Sequence, residues 1–499
     1  MFVAPDPGRL RLRNASRAVI GVAAAVAASE VCGLTLTASI TGGLTALLAL
    51  FTVTDATVRD QRITTALLPL VGFPVLGLAT ALHGVTSARD AAFLAVVFCG
   101  VYARRWGPRG HALGIFAFMS FFITQFLHAV PAQLPELYAA AGLALVAAGV
   151  TRFVLWPIER HAPPAAAPPA LPGIGLARPT TRQAFQATAA STLALVIGQV
   201  LSEERWYWAV GTVWWIFVNT ASRGETLVRG FRRVFGTLIG IAVGVLVAVP
   251  LHGAPAPTAA LVAVCVFGIF YTAAVSYSWM MLAVTVMVSL LYGLLGVLDL
   301  SLLALRLEET GAGALCAALA VALVLPVTTH ATNDAWIQRA LHCVHAATAE
   351  ATARLGGDPK SDPAPHAAEL ELLLGRVRMA LAPLMHPLTP FRARKARARQ
   401  VIELLDDCAR EVRGLVSVAA DPVASHDARL AAACWRVEAA LEVLTVSDLG
   451  RRRVASDTGE IPQQNETESA LVHLRGLEKA LSELAMPLGS SPCPPLVRS

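Results

Sequence analysis

The sequence predicts an all-α integral membrane protein: two repeated bundles of about six transmembrane helices each, followed by a C-terminal cytosolic helical domain. Hydrophobic residues make up 55% of the 499 residues and charged residues only 15%, whereas a typical soluble domain is about 25% charged. Charge this sparse is typical of a surface that faces lipid. Apolar runs recur up to about residue 330, and charges are dense only beyond it. The mean hydropathy of +0.59 agrees with this reading.

The apolar runs have the length that a bilayer requires, which is about 20 residues for one helix. They predict a first bundle at 1–157 and a second at 183–328, separated by a Pro- and Ala-rich cytosolic linker at 158–182. The fourth run is short and breaks at Arg104, so ten or eleven spans also fit the pattern. The predicted spans lie near 15–33, 35–54, 63–83, 88–103, 111–129, 136–157, 183–202, 206–221, 231–251, 255–275, 278–297 and 307–328.

Arginines are concentrated in alternate loops, which indicates the orientation of the chain. With the N-terminus inside, the inner loops are basic and the outer loops are not. This predicts a multi-pass protein of the cytoplasmic (inner) membrane with both termini in the cytoplasm. The same asymmetry accounts for the net charge of +6, so we expect the lipid bilayer, and no nucleic acid, as a partner. The inner loops contain Arg59, Arg62, Arg104, Arg105, Arg109, Arg160, Arg178, Arg182, Arg223, Arg229, Arg232 and Arg233; the outer loops contain Arg89, Arg205 and Arg306.

The two bundles resemble each other in sequence. Residues 15–30 and 180–204 each begin near an Arg, continue as an Ala-rich helix and end at a short outer turn, and Leu-His-Gly recurs at 82–84 and 251–253. Two copies of an even-numbered unit keep the same orientation, which predicts an axis along the membrane normal. The Arg-rich N-terminus imitates a signal peptide, but a second apolar run follows at once. We therefore expect it to remain as the first transmembrane helix.

Beyond the second bundle, apolar residues recur at helical spacing among charges. Residues 329–487 are predicted to form a cytosolic bundle of four or five amphipathic helices. The Pro- and Ser-rich end, 488–499, is predicted to be disordered. The basic run at 391–400 is interpreted as a solvated helix face paired with the acidic residues that follow it, rather than as a site for lipid headgroups.

Enzyme motifs are absent from the chain. There is no G-x-x-x-x-G-K-[ST], no H-E-x-x-H and no G-x-S-x-G, so ATP hydrolysis by the chain itself is not expected. The eight cysteines contain no C-x-x-C pair, and the histidines are scattered. We therefore predict no catalytic residues, no cofactor and no metal, and the chain is not expected to be an enzyme.

The stretch 206–240 is the most informative part of the sequence. It combines tryptophans on one predicted helix with an Arg-rich loop and a Gly-containing helix. Aromatic faces stack on rings and a guanidinium matches a carboxylate, so the stretch predicts a site for an anionic, aromatic substrate. Helix packing with an aromatic interface belt is the alternative. The candidate substrate-binding residues are Trp208, Trp214, Trp215, Asn219, Arg223, Arg229, Arg233 and Thr237, with Arg17 and Arg182 at the entry to each bundle.

This stretch resembles the fusaric acid resistance family, also called aromatic acid exporter-like proteins. The family pattern is a Trp-x-x-x-Thr helix, a Gly-x-Thr turn and then Arg-x-x-Gly-Thr-x-x-Gly. The family's last helix begins with Arg, an acid, Thr and Gly. The matching residues are Trp208, Thr212, Gly224, Thr226, Arg233, Gly236, Thr237 and Gly240, and in the last helix Arg306, Thr310 and Gly313.

The resemblance covers mainly residues 180–328 and is fainter in 1–157. It implies efflux of aromatic carboxylates by secondary transport, with structural roles for the glycines and for Arg306 and Thr310. The six-helix unit also resembles that of plant malate-permeable anion channels. In layout the chain departs from the best-known exporters, which carry a larger cytosolic insert where this one has only the 158–182 linker.

Two carboxylates at the start of the last apolar helix are candidates for proton coupling. Glu308 and Glu309 follow Arg306 by about one helical step, and a buried carboxyl is expensive in a membrane and commonly functional. A salt bridge with Arg306 is the structural alternative. For Arg17 and Arg182 the alternative is a charge that only sets orientation.

These observations lead to a hypothesis of function. We expect a secondary transporter that exports small organic carboxylic acids, aromatic ones in particular, using the proton gradient. A passive organic-anion channel and a membrane scaffold whose tail domain recruits a partner are the alternatives. The sequence also leaves open assembly into a homo-oligomer and, if the envelope has an outer membrane, binding of a periplasmic adaptor.

Overall fold

The computed structural model describes residues 9–155, 175–218, 220, 223–325, 329–355, 358, 360–385, 392–419, 428–445 and 465–489. Across these ranges the chain is helical, with no strand. It divides into two compact units, Met1–Val327 and Thr328–Ser499. Most of the predicted linker (158–174) and most of the predicted tail (490–499) lie outside the described residues.

The first unit contains twelve α-helices within the described ranges. They are α1 (Leu10–Val31), α2 (Leu36–Thr52), α3 (Val58–Ala81), α4 (Thr86–Tyr102), α5 (Gly107–Phe126), α6 (Leu134–Val150), α7 (Pro179–Leu201), α8 (Tyr207–Phe217), α9 (Arg223–Ala248), α10 (Pro255–Thr272), α11 (Tyr277–Leu294) and α12 (Leu300–Leu323). Helix α7 already begins at Pro179, inside the predicted linker, because proline is well suited to the first turn of a helix.

Seven helical segments in the described part are long and apolar enough to cross a membrane. This composition makes the chain a multi-pass membrane protein. The segments are Val58–Ala81, Thr86–Phe126, Pro131–Leu155, Pro179–Leu201, Arg223–Ala248, Pro255–Thr272 and Tyr277–Leu294. Helix α2 is apolar but has only 17 residues, and α8 has only 11. Six spans in each bundle therefore stays a prediction.

Helix pairings within α1–α6 recur among α7–α12. Helix α1 packs on α2 and α6, and α7 packs on α8 and α12. Likewise α2 packs on α6 and α3 on α5, as α8 packs on α12 and α9 on α11. The two sets also interlock, since α1 packs on α10 and α4 packs on α7. The interior of this unit is thus built by helices from both halves of the sequence.

Small residues bring α9 against α11 at close range. A Cβ atom on Gly236 would lie 2.6 Å from the backbone oxygen of Ser278, and one on Gly240 would lie 2.6 Å from Cβ of Thr285. Glycines four residues apart allow this approach, because no side chain separates the two backbones. The contact fixes the face that α9 turns towards the interior.

Two arginines bind the carboxyl-terminal ends of short helices. Arg152, which is buried, donates to the carbonyl oxygens of Leu50 and Val53 at the end of α2, each at 2.8 Å. Arg104 donates to the carbonyl oxygen of Phe217 at the end of α8, at 3.1 Å. The last carbonyls of a helix have no partner within it, so a cation there satisfies them and opposes the negative end of the helix dipole.

The second unit consists of five helices in its described ranges: α13 (Thr329–Leu355), α14 (Ala364–Met385), α15 (Arg392–Ala419), α16 (Ala428–Thr445) and α17 (Asn465–Gly489). Each contributes apolar side chains to a common core. Examples with at most 1% exposure are Leu341, Leu373, Leu405, Val437 and Leu474. Helix α17 runs two residues into the tail that was predicted to be disordered.

Candidate functional site

A cavity lies among α2, α5, α8, α9, α10 and α11, where helices from both halves of the sequence meet. Its volume is about 860 Å³, open mouth included. Among the described residues Arg233 is the one charged side chain in its wall, and no lining side chain carries an oxygen atom. The lining residues are Leu44, Leu47, Leu48, Phe51, Met119, Phe122, Ile123, Phe126, Trp208, Gly211, Trp215, Arg233, Ile269, Met280, Met281, Val284, Met287, Val288 and Leu291.

Arg233 is a buried cation with few partners. Its side chain is 3% exposed. Its Nη1 contacts the sulfur of Met281, which is a weak acceptor, and its Nε has no hydrogen-bond partner among the described residues. The Tyr277 hydroxyl also hydrogen-bonds the side chain. A buried donor that lacks an acceptor costs free energy, and a buried charge that lacks a counter-ion costs more. A ligand carboxylate in the cavity would remove that cost.

The tryptophans of α8 divide between two faces. Trp208 and Trp215 are seven positions apart, which is close to two helical turns, and both line the cavity with Gly211 between them. Trp214, one position away, points elsewhere and stacks on Phe118 with ring centroids 4.2 Å apart. The structure thus brings two of the three candidate tryptophans to the cavity and places the third in the packing between α5 and α8.

Three other candidate arginines, Arg229, Arg223 and Arg182, do not line the cavity. Arg229 donates from Nε to the backbone oxygen of Trp215 at 3.1 Å and lies over the ring of Tyr277, so it holds the end of α8. Arg223 is exposed at the first residue of α9. Arg182 donates to the backbone oxygen of Leu176 at 2.5 Å.

Of the three remaining candidates, two are buried away from the cavity wall and one lies outside the described residues. Arg17 is buried on α1 and Thr237 is buried on α9, and neither contributes to the cavity wall. Asn219 lies outside the described residues. The predicted substrate site is therefore represented in the cavity by Trp208, Trp215 and Arg233.

A second buried polar cluster lies behind Trp208. Arg306, on α12, stacks its guanidinium 4.1 Å from the centre of the Trp208 ring. The indole nitrogen of Trp208 donates to the hydroxyl of Tyr292 at 2.8 Å. Arg306 is 2% exposed, and its Nη1 has no hydrogen-bond partner in the described part of the chain. The cluster thus contacts the cavity through the tryptophan ring.

The two candidate carboxylates occupy different environments. Glu309 is fully buried, and neither of its carboxylate oxygens has a hydrogen-bond partner among the residues that the structure describes. Glu308 is exposed. The burial of Glu309 follows from the packing of α12 on α8, since a Cβ on Gly313 would lie 2.5 Å from the backbone oxygen of Ala209. Thr310 donates its hydroxyl to the Arg306 carbonyl at 2.7 Å, within the same helix.

Sequence reasoning missed the contribution of the first half of the chain to the cavity. Helix α5 supplies Phe122 and Phe126, and Phe126 lies 5.9 Å from Trp208 and 5.4 Å from Tyr292 between ring centroids. Arg104, interpreted from the sequence as an orientation charge, also hydrogen-bonds the side chain of Gln183 at 3.1 Å. The Phe-rich run of α5, with five phenylalanines in one helix, was the available signal.

The described residues contain no group of three or more His, Cys, Asp or Glu side chains that could hold a metal ion.

Comparison with known proteins identifies one domain. Residues 193–320 match the family described as fusaric acid resistance protein-like, and the resemblance predicted from the motifs is confirmed. The matched segment contains Trp208, Trp215, Arg233, Arg306 and Glu309. No curated protein matches the chain. The family and the apolar helices together indicate a transporter of the exporter type.

Proposed function

We propose that this protein is a secondary transporter that exports small organic carboxylic acids, aromatic ones in particular, across the cytoplasmic membrane with the proton gradient as its energy source. The observation that carries this proposal is the apolar cavity whose wall, among the described residues, contains one buried cation, Arg233. The family supports transport in general. The cavity supports the choice of an acid.

An aromatic carboxylate matches the cavity in both of its parts. The carboxylate would accept hydrogen bonds from Arg233, and such charge-assisted bonds are roughly twice as strong as neutral ones. The ring would lie among Trp208, Trp215 and Phe122, where aromatic pairs add about 0.5–1.5 kcal/mol beyond burial of area.

The position of the cavity supports transport rather than storage of a ligand. It lies where helices of both halves meet, and secondary transporters built from repeats commonly place their substrate at such a junction. In this proposal the two halves are repeats with both termini in the cytoplasm. Arg223 and Arg229 guide the anion at the cytoplasmic mouth, and Trp214 keeps α8 against α5.

Proton coupling is assigned to the pair Glu308 and Glu309, with Glu309 as the principal residue. Glu309 is buried without a hydrogen-bond partner in the described part of the chain, whereas Glu308 is exposed. Burial of a carboxylate without a donor is costly, and a bound proton removes the charge that makes it so.

Flux through proteoliposomes tests the proposal. The purified protein is reconstituted, and entry of a labelled aromatic carboxylate is followed with and without an imposed pH gradient. Accumulation that requires the gradient and is lost in Glu309→Gln supports the proposal, and Glu308→Gln is expected to have the smaller effect because Glu308 is exposed. Equilibration that ignores the gradient would instead indicate a passive anion channel. No flux of any acid would contradict the proposal.

A further inference from the structure

Trp208 belongs both to the cavity wall and to the buried polar cluster behind it. Its ring lines the cavity, while the guanidinium of Arg306 lies 4.1 Å from the centre of the ring. Its indole nitrogen donates to the hydroxyl of Tyr292 at 2.8 Å. Contacts from two other helices, α12 and α11, therefore hold the plane of this ring. A movement of Arg306 would change the wall that a ligand touches.

Arg306 lies close to a second group that can bind it. Glu309 is three positions further along α12, and residues three apart are neighbours on the surface of a helix. Both side chains are buried, and their charges act on each other. They are not hydrogen-bonded, since both Glu309 oxygens and Nη1 of Arg306 have no partner among the described residues. A change of side-chain rotamers is enough to join them, without movement of the backbone.

The charge of Glu309 decides which contact Arg306 prefers. When Glu309 is protonated it carries no charge, and the face of the Trp208 ring is the stronger attraction for the guanidinium. When Glu309 is ionised it offers charge-assisted hydrogen bonds, which are stronger than a cation–π contact. A buried carboxylate that lacks such bonds is costly. Ionisation of Glu309 therefore favours rotation of Arg306 away from Trp208.

We infer that Arg306 is a positioning residue that transmits the protonation state of Glu309 to the cavity wall through Trp208. The inference rests on the proposed function, because it gives the proton site a physical route to the substrate site. With Glu309 protonated, Arg306 holds the Trp208 ring in place. With Glu309 ionised, Arg306 turns to the carboxylate, and the ring loses this contact and changes its tilt. We call this route the Trp208 relay.

Other charged or titratable groups act on the pair from the helices packed around it. Histidine is the side chain that titrates near neutral pH, and the ring centroid of His128 lies 6.4 Å from that of Tyr207, so its effect must be separated. Helix α7, which packs on α12, has its one charged residue, Arg182, in its first turn. The groups that act on Arg306 or Glu309 include Glu308 on α12, Arg205 before α8, Tyr207 on α8, Arg233 on α9 and Tyr292 on α11.

A fluorine label on tryptophan reports the state of the ring directly. The full-length protein is produced with 5-fluorotryptophan, and the Trp208 signal is assigned by its loss in Trp208→Phe. Fluorine NMR spectra are recorded from about pH 5 to about pH 9, a range in which a buried carboxyl can take up its proton. The Trp208 signal of the wild type should shift with pH. The signal of Trp214, a buried ring stacked on Phe118, should not shift and is the internal control.

Three variants separate the steps of the Trp208 relay. Glu309→Gln should abolish the shift, because its side chain cannot ionise, whereas a shift caused by His128 would persist. Arg306→Gln should abolish it too, since ionisation of Glu309 then moves no group that touches Trp208. Arg306→Lys keeps the charge but loses the planar guanidinium, so the shift should become smaller. Should Arg306→Gln fail to fold, Arg306→Lys supplies the comparison.

Binding of benzoate measures the consequence for the cavity. In the wild type, its dissociation constant should differ by about fivefold or more between about pH 6 and about pH 9, which is the usual scale of coupling between two sites. In Arg306→Gln the two values should be nearly equal. A wild-type Trp208 signal that ignores pH, or an equal response in Arg306→Gln, would overturn the inference.

The two readouts distinguish this inference from the proposed function. The fluorine experiment contains no substrate, so a silent Trp208 signal together with proton-driven flux of acids would overturn the Trp208 relay alone. A pH-responsive Trp208 signal together with no binding and no flux of any acid would support the relay and contradict the proposed function.

Discussion

Replacement of Arg233 is the perturbation with the clearest expected magnitude. At 4 Å, two unit charges attract by about 4 kcal/mol when the effective dielectric constant is about 20, and part of this is lost when the carboxylate leaves water. Hydrogen bonds to charged groups retain about 1.5–3 kcal/mol net. Arg233→Gln should therefore weaken binding of an aromatic carboxylate by roughly 10- to 150-fold.

The assay compares two ligands and two variants. Binding of an aromatic carboxylate and of its uncharged amide is measured by calorimetry on the purified protein. The amide should bind the wild type and Arg233→Gln nearly equally, because it gains little from the guanidinium. Arg232→Gln is the matched control, since Arg232 is exposed on the same helix.

The stability of Arg233→Gln shows whether a loss of affinity arises from misfolding. Arg233 is buried and its Nε has no partner among the described residues, so its removal takes away a charge that burial disfavours. The melting temperature of Arg233→Gln should be unchanged or higher. An equal loss of affinity for acid and amide, or an equal effect of Arg232→Gln, would refute charge recognition by Arg233.

Four further residues give independent predictions. Gly211→Ala places a Cβ 2.7 Å from the Phe122 ring in the cavity wall. Uptake of a bicyclic acid should therefore fall about tenfold relative to uptake of a single-ring acid. Gly230→Ala is the control, because a Cβ there has no atom nearer than 3.7 Å, and it should leave the ratio of the two uptake rates unchanged. Gly313→Ala, 2.5 Å from a backbone oxygen of α8, should lower the free energy of unfolding by about 1–3 kcal/mol, measured by chemical denaturation in detergent. Burial raises the pKa of the Cys408 thiol to about 12, so at pH 8 roughly one molecule in 10⁴ carries the thiolate and a maleimide should label it only after unfolding. Cys32 is exposed just beyond α1, and with the N-terminus in the cytoplasm a membrane-impermeant maleimide should label a variant with Cys32 as its single cysteine from outside intact cells.

Each of these predictions has an outcome that contradicts it. An unaltered uptake ratio in Gly211→Ala would show that Phe122 does not limit the cavity. Unchanged stability of Gly313→Ala would mean that α12 and α8 pack less closely than described. Rapid labelling of native Cys408 would contradict its burial, and protection of Cys32 in intact cells, with labelling in inverted vesicles, would reverse the orientation.

Part of the site was predictable because it depends on spacing along one helix. Trp208 and Trp215 lie on one face of α8 by their seven-residue separation, and Arg233 follows from the match to the family pattern. The face itself was not predictable. Helix α8 is apolar on all sides, so its sequence has no amphipathic pattern that would distinguish one packed face from another. Trp214 and Trp215 were therefore equivalent in the sequence and are not equivalent in the structure.

For Glu308 and Glu309, the spacing of neighbouring residues in the sequence could have identified which of the two is buried. Glu308 and Glu309 are adjacent, so they differ by about 100° around α12. Arg306 and Gly313 fall on the same face as Glu309, three positions before it and four after it. Glycine marks the face on which helices approach closely, which selects Glu309 as the buried one.

Contacts between distant parts of the chain were beyond the sequence argument. The parts of the cavity wall formed by α2 and α5 depend on how the two halves of the sequence pack together. No local pattern specifies whether the side chain of Leu44 or Phe122 faces a cavity. Arg104 illustrates the same limit. Its position in a basic loop favours an orientation role, while its bonds to Phe217 and Gln183 arise only from the tertiary structure.

A structure of the protein with a bound brominated aromatic carboxylate would show where the substrate binds. The bromine locates the ring without reliance on the shape of the density. We expect the ring between Trp208 and Trp215, with the carboxylate within hydrogen-bond distance of the Arg233 guanidinium and the sulfur of Met281 displaced from it. A ring bound elsewhere, or bound in the cavity with its carboxylate directed away from Arg233, would contradict it.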